Sequence, residues 1–185
     1  AGDSVTLPRL TLKRKYGDCD DLTALFCSLR ETRNIETGII TVPGHIYAAF
    51  NTKAPASAAR EFSPDKGMLL MQDGSIWIPV EVTMLDGNSG FLEAWTRASE
   101  LWKTNEKTRA FYRTRAAQEV YGPVVLEEND LGLQYGNEDR IAAVFKQDRD
   151  RLADVVLKPM AADAERSRSK ADYNRLGMLS ARFGR

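Results

Sequence analysis

The sequence predicts an α+β chain with a helical C-terminal region, and three observations carry that reading. An apolar stripe of helical period begins at Asp18. Short β-branched segments separated by turn dipeptides fill residues 37–82. From Gly90 onward the period is again helical.

Residues 1–16 are polar and mixed, with Pro8 and a basic cluster at Lys13, Arg14 and Lys15. From Asp18, Leu22, Leu25, Phe26 and Leu29 recur at i, i+3, i+4 and i+7, which is one helix face. Asp18 is placed to cap that helix, and Asp20 and Asp21 suit its first turn. The helix is expected to fade near Arg33-Asn34. "TGIITV" (37–42) and "HIYAAFN" (45–51) read as strands joined by a Pro43-Gly44 turn. Residues 52–67, with two prolines, read as a loop. "MLLMQ" and "SIWIPVEVT" flank Asp73-Gly74, a two-residue hairpin signal. Alternation then puts Trp77, Pro79 and Glu81 on one face and Ile76, Ile78, Val80 and Val82 on the other.

Phe91, Leu92, Trp95, Leu101 and Trp102 fit a helix, and "EKTRAFYRTRAAQEVY" extends the helical reading to Gly122-Pro123. An extended piece, "VVLEEN", leads to the amphipathic stretch "NEDRIAAVFKQDRDRLADVVLK", and a last helix is expected from about Ala162 to Phe183. The division that follows is a core unit over 1–125 and a helical extension over 126–185.

With 185 residues, 43% apolar and 28% charged, the chain has a globular balance. Its formal net charge of zero gives no overall attraction to nucleic acid or an anionic membrane. No apolar run approaches the ~18 residues a membrane helix needs, and no signal peptide is visible. Because the chain opens with Ala-Gly rather than Met, it reads as a piece of a longer protein. The two cysteines, Cys19 and Cys27, are eight positions apart. On one helix that is about 12 Å, too far for a disulfide. Two cysteines and one histidine do not make a structural-zinc spacing. Freedom from disulfides fits the cytosol, and export is left open.

The chemistry concentrates in "KYGDCDDL". Cys19 falls at a helix N-terminus, where free N–H groups and the macrodipole favour thiolate, while the neighbouring carboxylates oppose it. A cationic partner would settle that contest. The chain's single histidine, His45, opens a strand just after Pro43-Gly44. Glu81 is an acid within an otherwise apolar strand, costly there unless paired. Thiol, imidazole and carboxylate are the three groups an acyl-transfer site needs. Each also has a structural reading: a small residue before a capped helix, a strand histidine, and a carboxylate turned to solvent on an edge strand beside a partly exposed Trp77. Asp18, Asp20 and Asp21 are also oxygen ligands of the kind calcium takes, although their spacing is not that of an EF-hand and helix capping explains them too.

The stretches "GDCDDLTALFCSLRE", "GIITVPGHIYAAF" and "DGSIWIPVEVT" together resemble the transglutaminase-like (papain-fold) superfamily. Its signature is Gly-x-Cys-x-acid at a helix start, a strand with His followed by an aromatic, and a strand with Trp-x-x-x-acid. The resemblance covers residues 10–90 and is closest to bacterial domains found beside tetratricopeptide repeats. It implies a papain-like core, a Cys-bearing helix packed on an antiparallel sheet, with Leu22, Leu25, Phe26, Leu29, Ile39 and Val42 in the interior. It implies Cys19 as nucleophile, His45 as base and Glu81 as orienting acid, where the superfamily more often has Asp. Trp77 would contact substrate, and Cys27 would be an ordinary buried thiol.

The activity implied is cysteine-dependent acyl transfer on amide or peptide bonds, by a peptidase, amidase or transglutaminase with a protein or peptide substrate. It needs no metal and no organic cofactor. The alternative is an inactive module of the same fold that binds other proteins, with Trp77, Trp95 and Trp102 as either anchors or core. The closing "ADYNRLGMLSARFGR" resembles the first helix of a tetratricopeptide repeat, through Tyr173, Leu176, Gly177, Leu179 and Ala181, which would give the C-terminal helices a role in protein binding. A plain amphipathic helix packed on the rest of the chain is the other reading.

Overall fold

Gly17 and Asp18 set where the first long helix starts. In a computed structural model, which describes residues 4–84, 89–122, 124, 132 and 136–185, Asp18 is the extended cap of helix α2 (Cys19–Glu31). Its carboxylate accepts from the Asp21 N–H at 3.4 Å. The chain before it is not irregular. Pro8 opens a short helix, α1 (Pro8–Arg14), because a proline's missing N–H costs nothing in a first helical turn.

Strands β1 (Thr37–Val42) and β2 (His45–Pro55) form a tight antiparallel hairpin in which Val42 faces His45, with Gly44 at φ +71°. A register shift between Asn51 and Pro55, with Lys53 at φ 60°, carries β2 further than expected. Two short 3-10 turns, over 56–61 and 66–68, occupy most of the remaining loop. Asp73 and Gly74, both left-handed, then join β3 (Leu70–Gln72) to β4 (Ser75–Val80).

After helix α3 (Phe91–Thr104) comes a correction. The stretch expected to be all helix contains strand β5 (Ala110–Arg113) before a short helix, α4 (Thr114–Val120). The reason is non-local. β1 has an open edge, and β5 pairs along it, Ile40 facing Phe111 and Gly38 facing Arg113. The sheet order is β3-β4-β2-β1-β5, antiparallel throughout.

Both sheet faces are buried, and the side chains alternate between two clusters as the pleat requires. Ala48, Ile76, Ile78, Val80 and Val82 join Cys27, Ala94 and Trp95 on one face, with Leu22 and Phe26 of α2 against them. Ile40, Val42, Tyr47, Ala49 and Trp77 join Ala98 on the other, with Leu101, Trp102 and Phe111. Ile39 and Val42 therefore belong to opposite faces. Leu29, expected in the core, is 51% exposed, because the side that α2 buries runs through Thr23 and Cys27, and Leu29, two residues past Cys27, is turned away from it.

Apart from Val124, "VVLEEN" lies outside the described residues. Helix α5 (Glu138–Ser167) runs unbroken through Pro159 and past Ala162, where the last helix was expected to begin, and that last helix, α6 (Lys170–Phe183), starts eight residues later and returns along α5. Ala153, Val156 and Leu157 pack with Leu176, Leu179 and Phe183, so α6 settles its apolar side on α5. Asp148 of α5 accepts from the Phe91 N–H at 3.1 Å, tying this helix pair to α3. Among the described residues no helix is long and apolar enough to cross a membrane.

Candidate active site

Cys19 is the first residue of α2 and is partly exposed. Its N–H, like others in a first turn, has no intrahelical carbonyl to bond. Gly17 lets this corner form. A Cβ there would lie 2.7 Å from the Asp21 Cβ and 3.0 Å from the Thr11 Cγ2, so only glycine lets α1 and the start of α2 approach.

The three aspartates around the thiol are engaged with one another and with the backbone. Asp21 is buried, and its Oδ1 accepts from the Thr6 N–H at 2.5 Å. Asp18 and Asp20 both accept from the Asp21 N–H. A hydrogen bond between the two carboxyls pushes Asp20 above the ordinary aspartate value and holds Asp18 below it. Carboxylate oxygens of all three lie within 4.8 Å of one another, a set of donors that a hard cation would accept and that capping already employs.

His45 opens β2 and Glu81 follows the end of β4. Because the two strands pair with Ala48 opposite Val80, those ends coincide. His45 Nε2 and Glu81 Oε2 are 2.6 Å apart. Glu81 is only 4% exposed and every polar group it has is satisfied. Its N–H donates to the Ala94 carbonyl at 3.0 Å, and its carbonyl accepts from the Met84 N–H at 3.3 Å. Its Oε1 accepts from the Thr83 N–H at 3.1 Å and the Thr83 hydroxyl at 2.7 Å. The paired carboxylate thus replaces the solvent-facing one that an edge strand would allow. On its other side the imidazole lies against the Tyr47 ring, with centroids 5.9 Å apart and planes at 24°.

With Nε2 committed to Glu81, Nδ1 is the ring nitrogen left for a thiol. The Cys19 sulfur makes no hydrogen bond to it. The two elements are neighbours all the same: Leu22, one turn along from Cys19, and Glu81 both line an apolar cleft of about 370 Å³ with Phe26, Val80, Val82 and Met84.

Trp77 is not at this cleft. It is 1% exposed and stands edge-on to Phe111, centroids 5.0 Å apart, on the opposite sheet face. A substrate contact is closed to it, because the face it shares with Glu81 is covered by α3 and Phe111 for most of its length. Trp95 is also core, donating from Nε1 to the Met68 carbonyl at 2.6 Å. Trp102 carries the Arg109 guanidinium 3.8 Å above its ring. Cys27 is buried as expected, and burial pushes its thiol up to about 11, with Thr37 lowering and Glu31 raising it. Sequence reasoning missed Thr83 and Tyr47. The available signals were a hydroxyl two residues after an acid at a strand end, and an aromatic two residues after the histidine on the same face.

No family model, curated protein or solved structure matches the chain.

Proposed function

We propose that this chain is a cysteine-dependent acyl-transfer enzyme of the transglutaminase-like, papain-fold kind, acting on amide bonds of a protein or peptide through Cys19, His45 and Glu81. The observation that carries the reading is the 2.6 Å contact between His45 Nε2 and the buried carboxylate of Glu81, in a chain whose α2 opens with a partly exposed thiol at its N-terminus. A buried carboxylate on Nε2 fixes the ring and its tautomer and leaves Nδ1 as the basic nitrogen. Nδ1 takes the Cys19 proton, the sulfur attacks the amide carbonyl, and the imidazolium returns that proton to the departing amine. An acyl-thioester remains on Cys19. Water releases a carboxylic acid, or a primary amine takes the acyl group as a new amide. The Cys19 N–H is one donor available to the tetrahedral oxyanion. The apolar cleft at Glu81 suits a substrate side chain on the acyl side.

The test is trapping. A peptide-amide library offered with hydroxylamine should yield hydroxamates, and mass spectrometry should find an acyl adduct on the Cys19 peptide. Equal hydroxamate formation by Cys19→Ala, or no adduct on wild type, would reject the proposal.

The second reading, a binding module of the same fold without turnover, is favoured by one observation: the Cys19 sulfur and the His45 ring are not hydrogen-bonded. Partner retention that is the same in wild type, Cys19→Ala and His45→Ala, together with an absent adduct, would establish it.

A further inference from the structure

We infer that Thr83 is a positioning residue for the His45–Glu81 pair. The inference rests on the acyl-transfer reading for its catalytic consequence, and on geometry alone for the positioning itself. A glutamate reaches its partner through one more rotatable bond than an aspartate, so a glutamate orienter needs an additional restraint on its carboxylate plane. Thr83 supplies one. The Glu81 carbonyl accepts from the Met84 N–H, closing a turn over 81–84 that brings residue 83 back over its own glutamate. From there the Thr83 N–H and hydroxyl both point at Oε1, at 3.1 and 2.7 Å. With one oxygen held by two donors, the carboxylate cannot turn about its last torsion, and the other oxygen is presented to Nε2 at 2.6 Å. The backbone half of the clamp is available to any residue at 83, but the shorter half needs a hydroxyl on Cβ. Only Ser and Thr carry one.

The arrangement can be read without any substrate, because His45 is the only histidine in the chain. Its two ¹⁵N resonances report tautomer and hydrogen bonding with no overlap. The full chain is labelled and compared as wild type, Thr83→Val, Thr83→Ser and Glu81→Gln. Thr83→Val is expected to move the Nε2 resonance toward its position in Glu81→Gln, and Thr83→Ser to return it to the wild-type position. Iodoacetamide labelling of Cys19 should slow about tenfold in Thr83→Val and recover in Thr83→Ser, the low end of what the loss of one hydrogen bond to a charged group costs.

A Thr83→Val imidazole spectrum superimposable on wild type overturns the inference. So does a Thr83→Ser spectrum displaced as far as that of Thr83→Val. Unchanged labelling in Thr83→Val, where wild-type Cys19 labels faster than denatured chain, overturns the catalytic consequence. If wild-type Cys19 labels no faster than denatured chain, the acyl-transfer reading fails instead, and the ¹⁵N comparison still decides the role of Thr83.

Discussion

His45 Nε2 and Glu81 Oε2 meet at 2.6 Å although 36 positions separate them in the chain, because β2 and β4 pair with their functional ends together. Glutamine at 81 tests what that contact does. Its carbonyl oxygen can still accept from Thr83, but its amide would donate to His45, and a donor there requires Nε2 to be the bare nitrogen. The ring then carries its proton on Nδ1 and cannot accept one from Cys19. Glu81→Gln should therefore fold with near wild-type urea stability yet lose acyl transfer by about 10²–10⁴. Glu81→Ala should instead lose about 1–3 kcal/mol of stability, because the donors of Thr83 and His45 are left without their acceptor. Equal activity of Glu81→Gln and wild type would show that the carboxylate is only structural.

Gly17 and Asp21 make the second test. A methyl group at 17 meets the Asp21 Cβ at 2.7 Å, and Asp21 is itself fixed by Thr6. Gly17→Ala should cost about 1–3 kcal/mol, as overpacking does. The same displacement moves the first turn of α2 and with it Cys19, so the rate of Cys19 alkylation should fall alongside the urea midpoint. A stable Gly17→Ala chain with wild-type labelling would show that the corner tolerates a side chain.

The elements that local chemistry dictates were legible. Asp73-Gly74 needs two left-handed residues and has them, and "TGIITV" is a strand over the residues its β-branching marks. Cys19, His45 and Glu81 stood out as residue types that are costly or unusual in their settings, and the structure brings the last two together. What long-range contact decides was not legible. "AFYR" sits among strong helix formers and is a strand only because β1 offers an edge. Trp77 looked half-exposed by alternation, but alternation says which face a residue is on, not whether that face is covered. Leu29 keeps the helical period but lies off the Thr23–Cys27 side that α2 buries. Thr83 escaped notice because its partner is a side chain, and no sequence period records that.

Stability should fall at both ends of the pH range, for separate reasons. Burial pushes Glu31 up, but hydrogen bonds from Thr114, Gln118 and Thr37 outweigh it and hold Glu31 below the usual glutamate value. Burial likewise raises Glu36, and Asn51 and Arg113 bring it down further than burial lifts it. A carboxylate lowered on folding contributes stability that is full above its unfolded value, about 4.3, and is lost as pH falls through the folded one. Cys27 is the reverse case. Its thiol is raised to about 11, so its contribution is full below the unfolded value of about 8.5 and is lost as pH rises toward 11. Urea midpoints should therefore decline below about pH 4 and above about pH 8.5. Glu31→Gln should flatten the acid limb and Cys27→Ala the alkaline one. A Glu31→Gln curve parallel to wild type in acid would remove the network from the explanation.

Pro159 is the remaining test, because α5 passes through it against local preference. A proline in a helix interior removes one N–H and crowds the carbonyl four residues back, here that of Val155, a cost of about 3 kcal/mol. The helix persists because its apolar stripe does not stop there. Ala153, Val156 and Leu157 before the proline and Met160 after it lie on one side of α5, against Leu176, Leu179 and Phe183, and Ala164 further on is also buried. Breaking the helix at 159 would take the second half of that stripe away from α6. Tertiary packing therefore outweighs the local cost. Pro159→Ala should restore the missing hydrogen bond and relieve the crowding. Against this stands a loss of about 0.4–1 kcal/mol from freeing the unfolded chain. The net expectation is a gain of roughly 1–3 kcal/mol, read as a higher urea midpoint with an unchanged slope. A lower midpoint would mean that the proline sets a bend on which the packing of α5 against α6 depends.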